Sequence, residues 1–148
     1  MGRYFEEFTV GSEIVSLGQT LTLESIIAFA TLYDPQSFHI DVEASKTSPY
    51  GGLIASGFQT LAVGFRMFLD TGVLGGTSFG SPGMDDVRWL QPVRPGDTLR
   101  TIARVIEARE SASKPDRGIV RAAFRMLNQR NEDVLTFSTT VFVARRPH

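Results

Sequence analysis

The chain has 148 residues, of which 42% are hydrophobic and 21% are charged, and its formal net charge at pH 7 is −1. These values are typical of one globular domain, and the near-zero charge argues against a general attraction to nucleic acid or an anionic membrane. The absence of cysteine excludes disulfides, thiolate nucleophiles and thiolate metal sites. We therefore expect residues 1–148 to form a single domain.

The N-terminal segment contains no apolar run of signal-peptide length. No stretch of the chain approaches the roughly 18 consecutive apolar residues that a membrane span requires. We therefore expect a cytoplasmic protein that neither crosses nor binds a membrane.

A short strand is expected around residues 13–20, and the first helix follows in TLTLESIIAFATLYD. Thr22 is a candidate N-cap for this helix. Its apolar residues at helical spacing are Ile26, Ile27, Ala30 and Tyr33. The helix should end at Asp34, because Pro35 disfavours the α conformation in the residue before it.

A second, longer helix is predicted within GGLIASGFQTLAVGFRMFLDTG. Its apolar residues, spaced four and three apart, are Ile54, Phe58, Leu61, Phe65 and Phe68. Such a stripe indicates a mostly buried helix, and Gly72 is placed to end it.

From Val87 onward the hydrophobic pattern changes to a period of two. Three predicted strands follow one another in TLRTIARVIEARES, GIVRAAFRML and VLTFSTTVFVARR, joined by the turns SASKPDRG and NQRNED. A Pro-Gly turn in QPVRPGDTL precedes the first of them. Consecutive strands with short turns predict an antiparallel meander, so the chain is expected to be an α+β domain whose antiparallel sheet wraps around one long central helix.

The segment YDPQSFHID places Asp34 and His39 five residues apart with a proline between them. The second histidine of the chain, His148, is its last residue. An aspartate before a proline is often only a turn residue, and a lone histidine is often structural. Their combination with a glycine-rich helix entry about eighteen residues later favours a catalytic pair.

Three segments together resemble the MaoC-like dehydratase family, the (R)-specific enoyl-CoA hydratases, which have the hot-dog fold. They are Asp34 to His39, GGLIASGF and VRWLQPVRPGDTL. The family signature runs Asp-x-Asn-Pro-x-His, so Asp34 and His39 match its catalytic positions. The chain departs from it at Gln36, where asparagine is usual, and at Ser37, where proline is usual.

The resemblance implies reversible hydration of trans-2-enoyl thioesters to (R)-3-hydroxyacyl thioesters. It places Gly57 at the oxyanion-hole position, and it implies a homodimer with the substrate tunnel at the interface. The substrate would be an acyl-CoA or another acyl thioester, with no cofactor beyond the CoA that the substrate carries. The residues expected to line the substrate site are Tyr33, Gln36, Ser56 and Phe58.

The chemistry of such a site can also be stated from the residues. Adding water across a conjugated enoyl thioester requires a proton acceptor, a proton donor and hydrogen-bond donors for the thioester oxygen. Asp34 and His39 are suited to hold one water between them, and a free amide of Gly57 at a helix N-terminus is suited to the third task. Which member of the pair acts first as the base stays open.

A metal site is a weaker interpretation of the same region. Asp34, His39, Asp41 and Glu43 provide one histidine among scattered carboxylates, which is a poor ligand set, so we expect no metal.

Two other functions remain open. A hot-dog thioesterase would use a carboxylate to direct water at the carbonyl carbon, and a non-catalytic module would only bind the acyl thioester. The Asp34 and His39 pair argues against the binding module, because binding alone does not need it. The length and branching of the acyl chain, and the choice between CoA and acyl-carrier protein, stay undetermined.

Overall fold

A computed structural model describes residues 1–147, so His148 lies outside the described residues. One antiparallel sheet and one long helix form most of the structure. After a 3₁₀ turn (Phe5–Glu7), the regular elements are β1 (Glu13–Val15), β2 (Gln19–Thr20), α1 (Leu23–Tyr33), α2 (Ser37–Ile40), α3 (Val42–Ser45), α4 (Gly57–Asp70), β3 (Met84–Trp89), β4 (Thr98–Glu110), β5 (Arg117–Leu127) and β6 (Asp133–Ala144). None of the helices within residues 1–147 is both long and apolar enough to cross a membrane.

The sheet has the strand order β1-β4-β5-β6-β3, and β2 also pairs with β4. Every pairing is antiparallel. The consecutive strands β4, β5 and β6 form the predicted meander, and the expected strand near residues 13–20 is present as the two short strands β1 and β2. The α+β arrangement of a sheet around a helix is therefore confirmed.

The predicted alternation of β4 is also observed. Its buried residues are Leu99, Thr101, Ala103 and Val105. The register shifts between Val105 and Glu107, and Ile106 at this bulge is exposed. One face of the strand thus supplies the sheet side of the core until the bulge interrupts it.

Helix α1 begins and ends where the sequence predicts. The Thr22 hydroxyl accepts a hydrogen bond of 3.2 Å from the Ser25 amide, which caps the N-terminus. At the other end Asp34 has φ −154° and ψ 66°, so it leaves the helical conformation directly before Pro35. Ile26 and Ala30 face the core.

The buried face of α4 differs from the predicted apolar stripe. Phe58 is 60% exposed, Leu61 and Phe65 are only partly buried, and Ile54 precedes the helix. The buried positions are Gln59, Thr60, Gly64, Met67 and Phe68. The reason is close contact with the sheet, which the small Gly64 permits: a Cβ there would collide with Met126, and its carbonyl oxygen accepts a hydrogen bond of 2.9 Å from the Thr101 hydroxyl.

Strand β3 forms an edge of the sheet and pairs only with β6 among the described strands. All its residues are exposed except the partly buried Val87. The register shifts between Asp85 and Arg88, and Asp86 has φ +53°. The Pro-Gly turn that follows is as predicted, with Gly96 at φ +88° before β4.

Candidate active site

The end of α1 positions Asp34. Its amide donates to the Ala30 carbonyl at 2.9 Å as the last bond of the helix, and its own carbonyl accepts from the Gln36 amide at 2.8 Å. The chain therefore turns sharply through Pro35. This turn directs the Asp34 carboxyl group toward the N-terminus of α4.

Short helix α2 carries His39, which is only 4% exposed. Its Nδ1 lies 2.7 Å from the carbonyl oxygen of Ile54, and its Nε2 lies 3.2 Å from Asp34 Oδ2. The segment around Ile54 is itself held in place, because the Ile54 amide donates to Phe38 O at 3.0 Å and the Ala55 amide donates to Val93 O at 2.8 Å. The two predicted catalytic residues are thus in contact.

These contacts decide the tautomer of His39. A carbonyl oxygen can only accept, so Nδ1 carries the hydrogen that it donates to Ile54. In the neutral ring Nε2 then has a lone pair facing the carboxylate of Asp34. A direct hydrogen bond between them requires a hydrogen either on Nε2 or on the carboxyl group.

The carboxyl group of Asp34 accepts two further hydrogen bonds. Ser56 Oγ donates to Oδ2 at 2.7 Å, and Gln36 Nε2 donates to Oδ1 at 2.7 Å. Burial would raise the pKa of Asp34, but the hydrogen bonds from Ser56 and Gln36 and the charge of His39 outweigh it, so the pKa lies below its ordinary value. With its side chain 14% exposed, Asp34 is an ionised group that still reaches solvent.

Ser56 is the N-cap of α4 and is fully buried. Its oxygen accepts from the Phe58 amide at 3.3 Å while its hydrogen goes to Asp34. One hydroxyl therefore joins the start of α4 to the end of α1. Ser56, which the sequence predicts at the substrate site, is not among the residues that line the cavity described below.

Gly57 is the first residue of α4 and lies on the cavity surface. Within residues 1–147, no oxygen accepts a hydrogen bond from its amide. Its carbonyl oxygen accepts from Trp89 Nε1 at 2.9 Å, and a Cβ at position 57 would lie 2.5 Å from that nitrogen. Glycine is therefore required at this position for the packing of Trp89, and its amide is also free to bind a ligand.

The cavity onto which these groups open has a volume of about 550 Å³. Its polar lining comes from Asp34, Gln36, His39, Gly57, Thr60 and Gln91, and its apolar lining comes from Phe38, Tyr50, Ile54, Ala55, Phe58, Trp89, Leu90, Pro92 and Val93. Gln36 and Phe58, which the sequence predicts at the substrate site, are among these lining residues. Tyr33 is not: it is 70% exposed, and its ring packs against Phe29 at 5.1 Å.

The most prominent lining residue that the sequence interpretation missed is Trp89, which is 49% exposed and whose ring lies 6.2 Å from that of Phe58. It is the only tryptophan of the chain. It lies in VRWLQPVRPGDTL, one of the three segments that carry the family resemblance, and this is the one signal that points to it.

The residues considered for a metal have other contacts. Asp41 Oδ1 accepts from the Ala44 amide at 3.0 Å as the N-cap of α3, and Glu43 pairs with Lys46 at 2.8 Å. Within residues 1–147, no group of three His, Asp or Glu side chains is arranged to hold a metal ion.

Comparison with known proteins identifies the family. The MaoC-like domain matches residues 7–123. A crystal structure of the MaoC-like dehydratase from Rhodospirillum rubrum is 38% identical, with a TM-score of 0.92 over 99% of this chain and 100% of that chain. The Mycobacterium tuberculosis protein Rv0216, which has a double hot-dog fold, shares the fold at 19% identity, with a TM-score of 0.82 over 99% of this chain and 45% of that chain.

A curated relative, mesaconyl-CoA hydratase of Cereibacter sphaeroides, is 29% identical over 98% of this chain. This chain spans only 42% of that relative's length. The family match, the neighbouring structures and the sheet around α4 agree with one another. The chain belongs to the family of MaoC-like domains and has the hot-dog fold.

Proposed function

We propose that the protein catalyses the reversible hydration of trans-2-enoyl thioesters to (R)-3-hydroxyacyl thioesters. The observation that carries this proposal is the buried contact of 3.2 Å between His39 Nε2 and Asp34 Oδ2, which opens onto a cavity beside the N-terminus of α4. Hydratase and dehydratase activities named for family relatives support the reaction class.

In the hydration direction, one water bound to Asp34 and His39 attacks C3 of the enoyl group. The pair accepts a proton from that water, and a proton from the pair then reaches C2, so that the elements of one water are added across the double bond. The same pair accepts the proton from the water and delivers a proton to C2. We therefore expect the hydroxyl group and the proton to add to the same face of the double bond. The buried ring and the ionised carboxylate fit this task, since each is within hydrogen-bond reach of the other.

The hydrogen bonds around the pair fix its orientation. Ile54 O holds the Nδ1 side of His39, so that Nε2 faces Asp34. Ser56 and Gln36 hold the two carboxylate oxygens of Asp34. We propose that Ser56 acts by positioning Asp34, while Gln36 does the same from the cavity surface.

As the bond to C3 forms, negative charge develops on the thioester oxygen. We propose that the Gly57 amide donates to this oxygen. The amide has no hydrogen-bond acceptor within residues 1–147, it lies at the N-terminus of a 14-residue helix, and the helix dipole favours negative charge there. The aromatic rings of Phe58 and Trp89 form the adjacent cavity surface for the acyl thioester.

No cofactor is required by this reaction beyond the CoA or other carrier of the acyl group. We also propose that two copies of the chain assemble through their β3 edges. This strand presents unpaired backbone groups, and Trp89 at its end contributes to the cavity, so a partner there would also enclose the substrate. The cytoplasmic location stays a prediction.

The test of the proposed function is incubation of the purified protein with crotonyl-CoA. Hydration bleaches the conjugated enoyl absorbance without releasing thiol, and an (R)-specific 3-hydroxyacyl-CoA dehydrogenase then oxidises the product. Release of free thiol would instead show a thioesterase. Binding without either change, also with octenoyl- and branched enoyl-CoA, would show a non-catalytic binding module.

A further inference from the structure

Arg94 lies at the rim of the cavity. It follows Val93, a lining residue, and its guanidinium Nη2 donates a hydrogen bond of 2.6 Å to the carbonyl oxygen of Tyr50, another lining residue. A Cβ at Gly52 would lie 3.3 Å from Arg94 Nη1, so glycine at that position gives the guanidinium room. The side chain is therefore held across the loop that forms one wall of the cavity.

The guanidinium of Arg94 has no carboxylate partner within residues 1–147. In contrast, most basic side chains of the chain form ion pairs: Lys46, Arg66, Arg104, Arg109, Arg117, Arg121, Arg125, Arg130, Arg145 and Arg146. The neighbouring carboxylate of Asp97 is occupied in another way, since it accepts from the Arg94 backbone amide at 2.9 Å and from Gln129 Nε2 at 2.8 Å. The guanidinium at the rim thus keeps most of its donors free.

A continuous row of aromatic side chains connects this rim to the proposed catalytic pair. The ring of His39 lies 4.6 Å from that of Phe38, and the ring of Phe38 lies 5.3 Å from that of Tyr50. A thioester whose carbonyl group is at Gly57 must have its thiol arm leave the cavity through the opening. The row of rings marks one wall along which such an arm can reach Arg94.

We propose that Arg94 binds a phosphate group of the substrate's thiol carrier. This inference rests on the proposed function, and it deepens it by assigning the recognition of the carrier to a residue outside the chemistry. A guanidinium binds phosphate through two parallel N–H donors, and the bond to Tyr50 fixes its plane before the ligand arrives. The phosphate of phosphopantetheine, which CoA and acyl-carrier protein share, and the 3′-phosphate of CoA are two sources of the same chemistry.

The test is a binding experiment that does not depend on turnover. Dissociation constants of CoA, dephospho-CoA, 4′-phosphopantetheine and pantetheine are measured by calorimetry for the wild type and Arg94→Gln. We expect the wild type to prefer CoA over pantetheine by about tenfold, as one charge-assisted contact provides, and Arg94→Gln to lose most of this preference. Arg94→Lys, which keeps the charge without the planar fork, should restore part of it.

The series of ligands identifies the source. If Arg94→Gln weakens 4′-phosphopantetheine relative to pantetheine, the arm phosphate is bound; if it weakens only CoA relative to dephospho-CoA, the 3′-phosphate is bound. Lys114→Gln, which removes a charge from the turn between β4 and β5, should leave all preferences as they are. Equal weakening of all four ligands would reduce Arg94 to a support of the Tyr50 loop, and no change would remove it from recognition; either result overturns the inference. The crotonyl-CoA assay decides the proposed function separately.

Discussion

The indole nitrogen of Trp89 donates a hydrogen bond of 2.9 Å to the Gly57 carbonyl oxygen, and its ring lies where a side chain at position 57 would be. A tryptophan on the edge strand and the first residue of the central helix are thereby joined at the cavity. Replacing Gly57 with valine would force the indole away. Loss of activity in that variant would not separate the role of the amide from the packing of the ring.

A pair of double variants separates them. In Gly57→Pro/Trp89→Ala the amide is lost, whereas in Gly57→Ala/Trp89→Ala it remains. Proline is favoured at the first position of a helix, and Ser56, at φ −57° and ψ 136°, has a conformation that proline tolerates before it. We expect the proline variant to hydrate crotonyl-CoA about 10²- to 10³-fold more slowly than the alanine variant, the usual cost of one oxyanion donor. Equal rates in two equally folded variants would remove the Gly57 amide from the mechanism.

Asp34→Asn and His39→Gln should each fold and lose most turnover, by at least about 10²- to 10⁴-fold, because each removes a group that exchanges protons with the water. The double variant should be little slower than the slower single variant, since the two groups act on one water. The rates are compared with those of Asp41→Asn, which changes a nearby carboxylate that caps α3 and keeps a capping oxygen. Losses that multiply would indicate that the two residues act in separate steps.

The acid side of the pH profile should depend on Ser56 and Gln36. The hydrogen bonds from these residues lower the pKa of Asp34 against the opposing effect of burial. Activity needs the ionised carboxylate, so in the wild type it is lost only as pH falls through the lowered, folded-state pKa. Any stabilisation from the lowered pKa is likewise present above the unfolded-state pKa and lost as pH falls through the folded-state value.

In Ser56→Ala or Gln36→Leu the pKa of Asp34 should therefore rise, and the acid limb of log kcat/KM should move to higher pH. The first variant also removes a helix cap, at a cost of about 1 kcal/mol. Thr22→Ala removes the cap of α1 at a similar cost without touching Asp34, so it should leave the pH profile unchanged. An acid limb at the same pH in all variants would contradict the role given to these hydrogen bonds.

Gly64 provides a test of the helix–sheet contact. Alanine usually stabilises a helix by about 1 kcal/mol relative to glycine. Here its Cβ would collide with Met126, so we expect Gly64→Ala to lower the free energy of unfolding by about 1–3 kcal/mol, as overpacking does. In urea denaturation, Gly64→Ala should cost less in a Met126→Ala background, because the colliding side chain is shortened. If Gly64→Ala instead raised the free energy of unfolding, the Met126 side chain would be able to move aside at little cost.

The proposed dimer depends on the exposed edge at β3. Light scattering of the purified chain should give twice the monomer mass, because an unpaired edge strand beside the cavity favours pairing with a second copy. Specific activity should fall on dilution below the dissociation constant of the dimer. A fully active monomer would show that one copy forms the whole site.

The features that the sequence predicted well depend on neighbours in the chain. Thr22 and the Asp34-Pro35 pair set the two ends of α1 through local backbone preferences. Asp34 and His39 are only five residues apart in the sequence, so the turn at Pro35 is enough to bring their side chains into contact. In β4, the alternation of residues along the sequence directly indicates which face of the strand is buried. Each of these signals lies within a few residues of what it specifies.

The features that it missed depend on contacts between distant segments. Phe58 is exposed because Gly64 sets the rotation of α4 against Met126, a residue of strand β5. Trp89 reaches the cavity from the edge strand β3, where its indole contacts Gly57, a residue far from it in the sequence. Hydrophobic period reveals that a helix has a buried face, but close contacts of small residues decide which face it is.

The irregular backbone of β3 has a consequence for the solubility of the chain. An exposed edge strand is a template on which further chains can add without limit, which is the geometry of fibrous aggregates. Here Asp86, at φ +53°, interrupts the register, and the charged Asp85 and Arg88 flank the interruption. Only short stretches on either side can pair with another strand, and any wrong partner must accommodate the bulge and both charges. The edge can therefore pair with the matching edge of one second copy, which closes the assembly, and it resists the addition of further chains without limit.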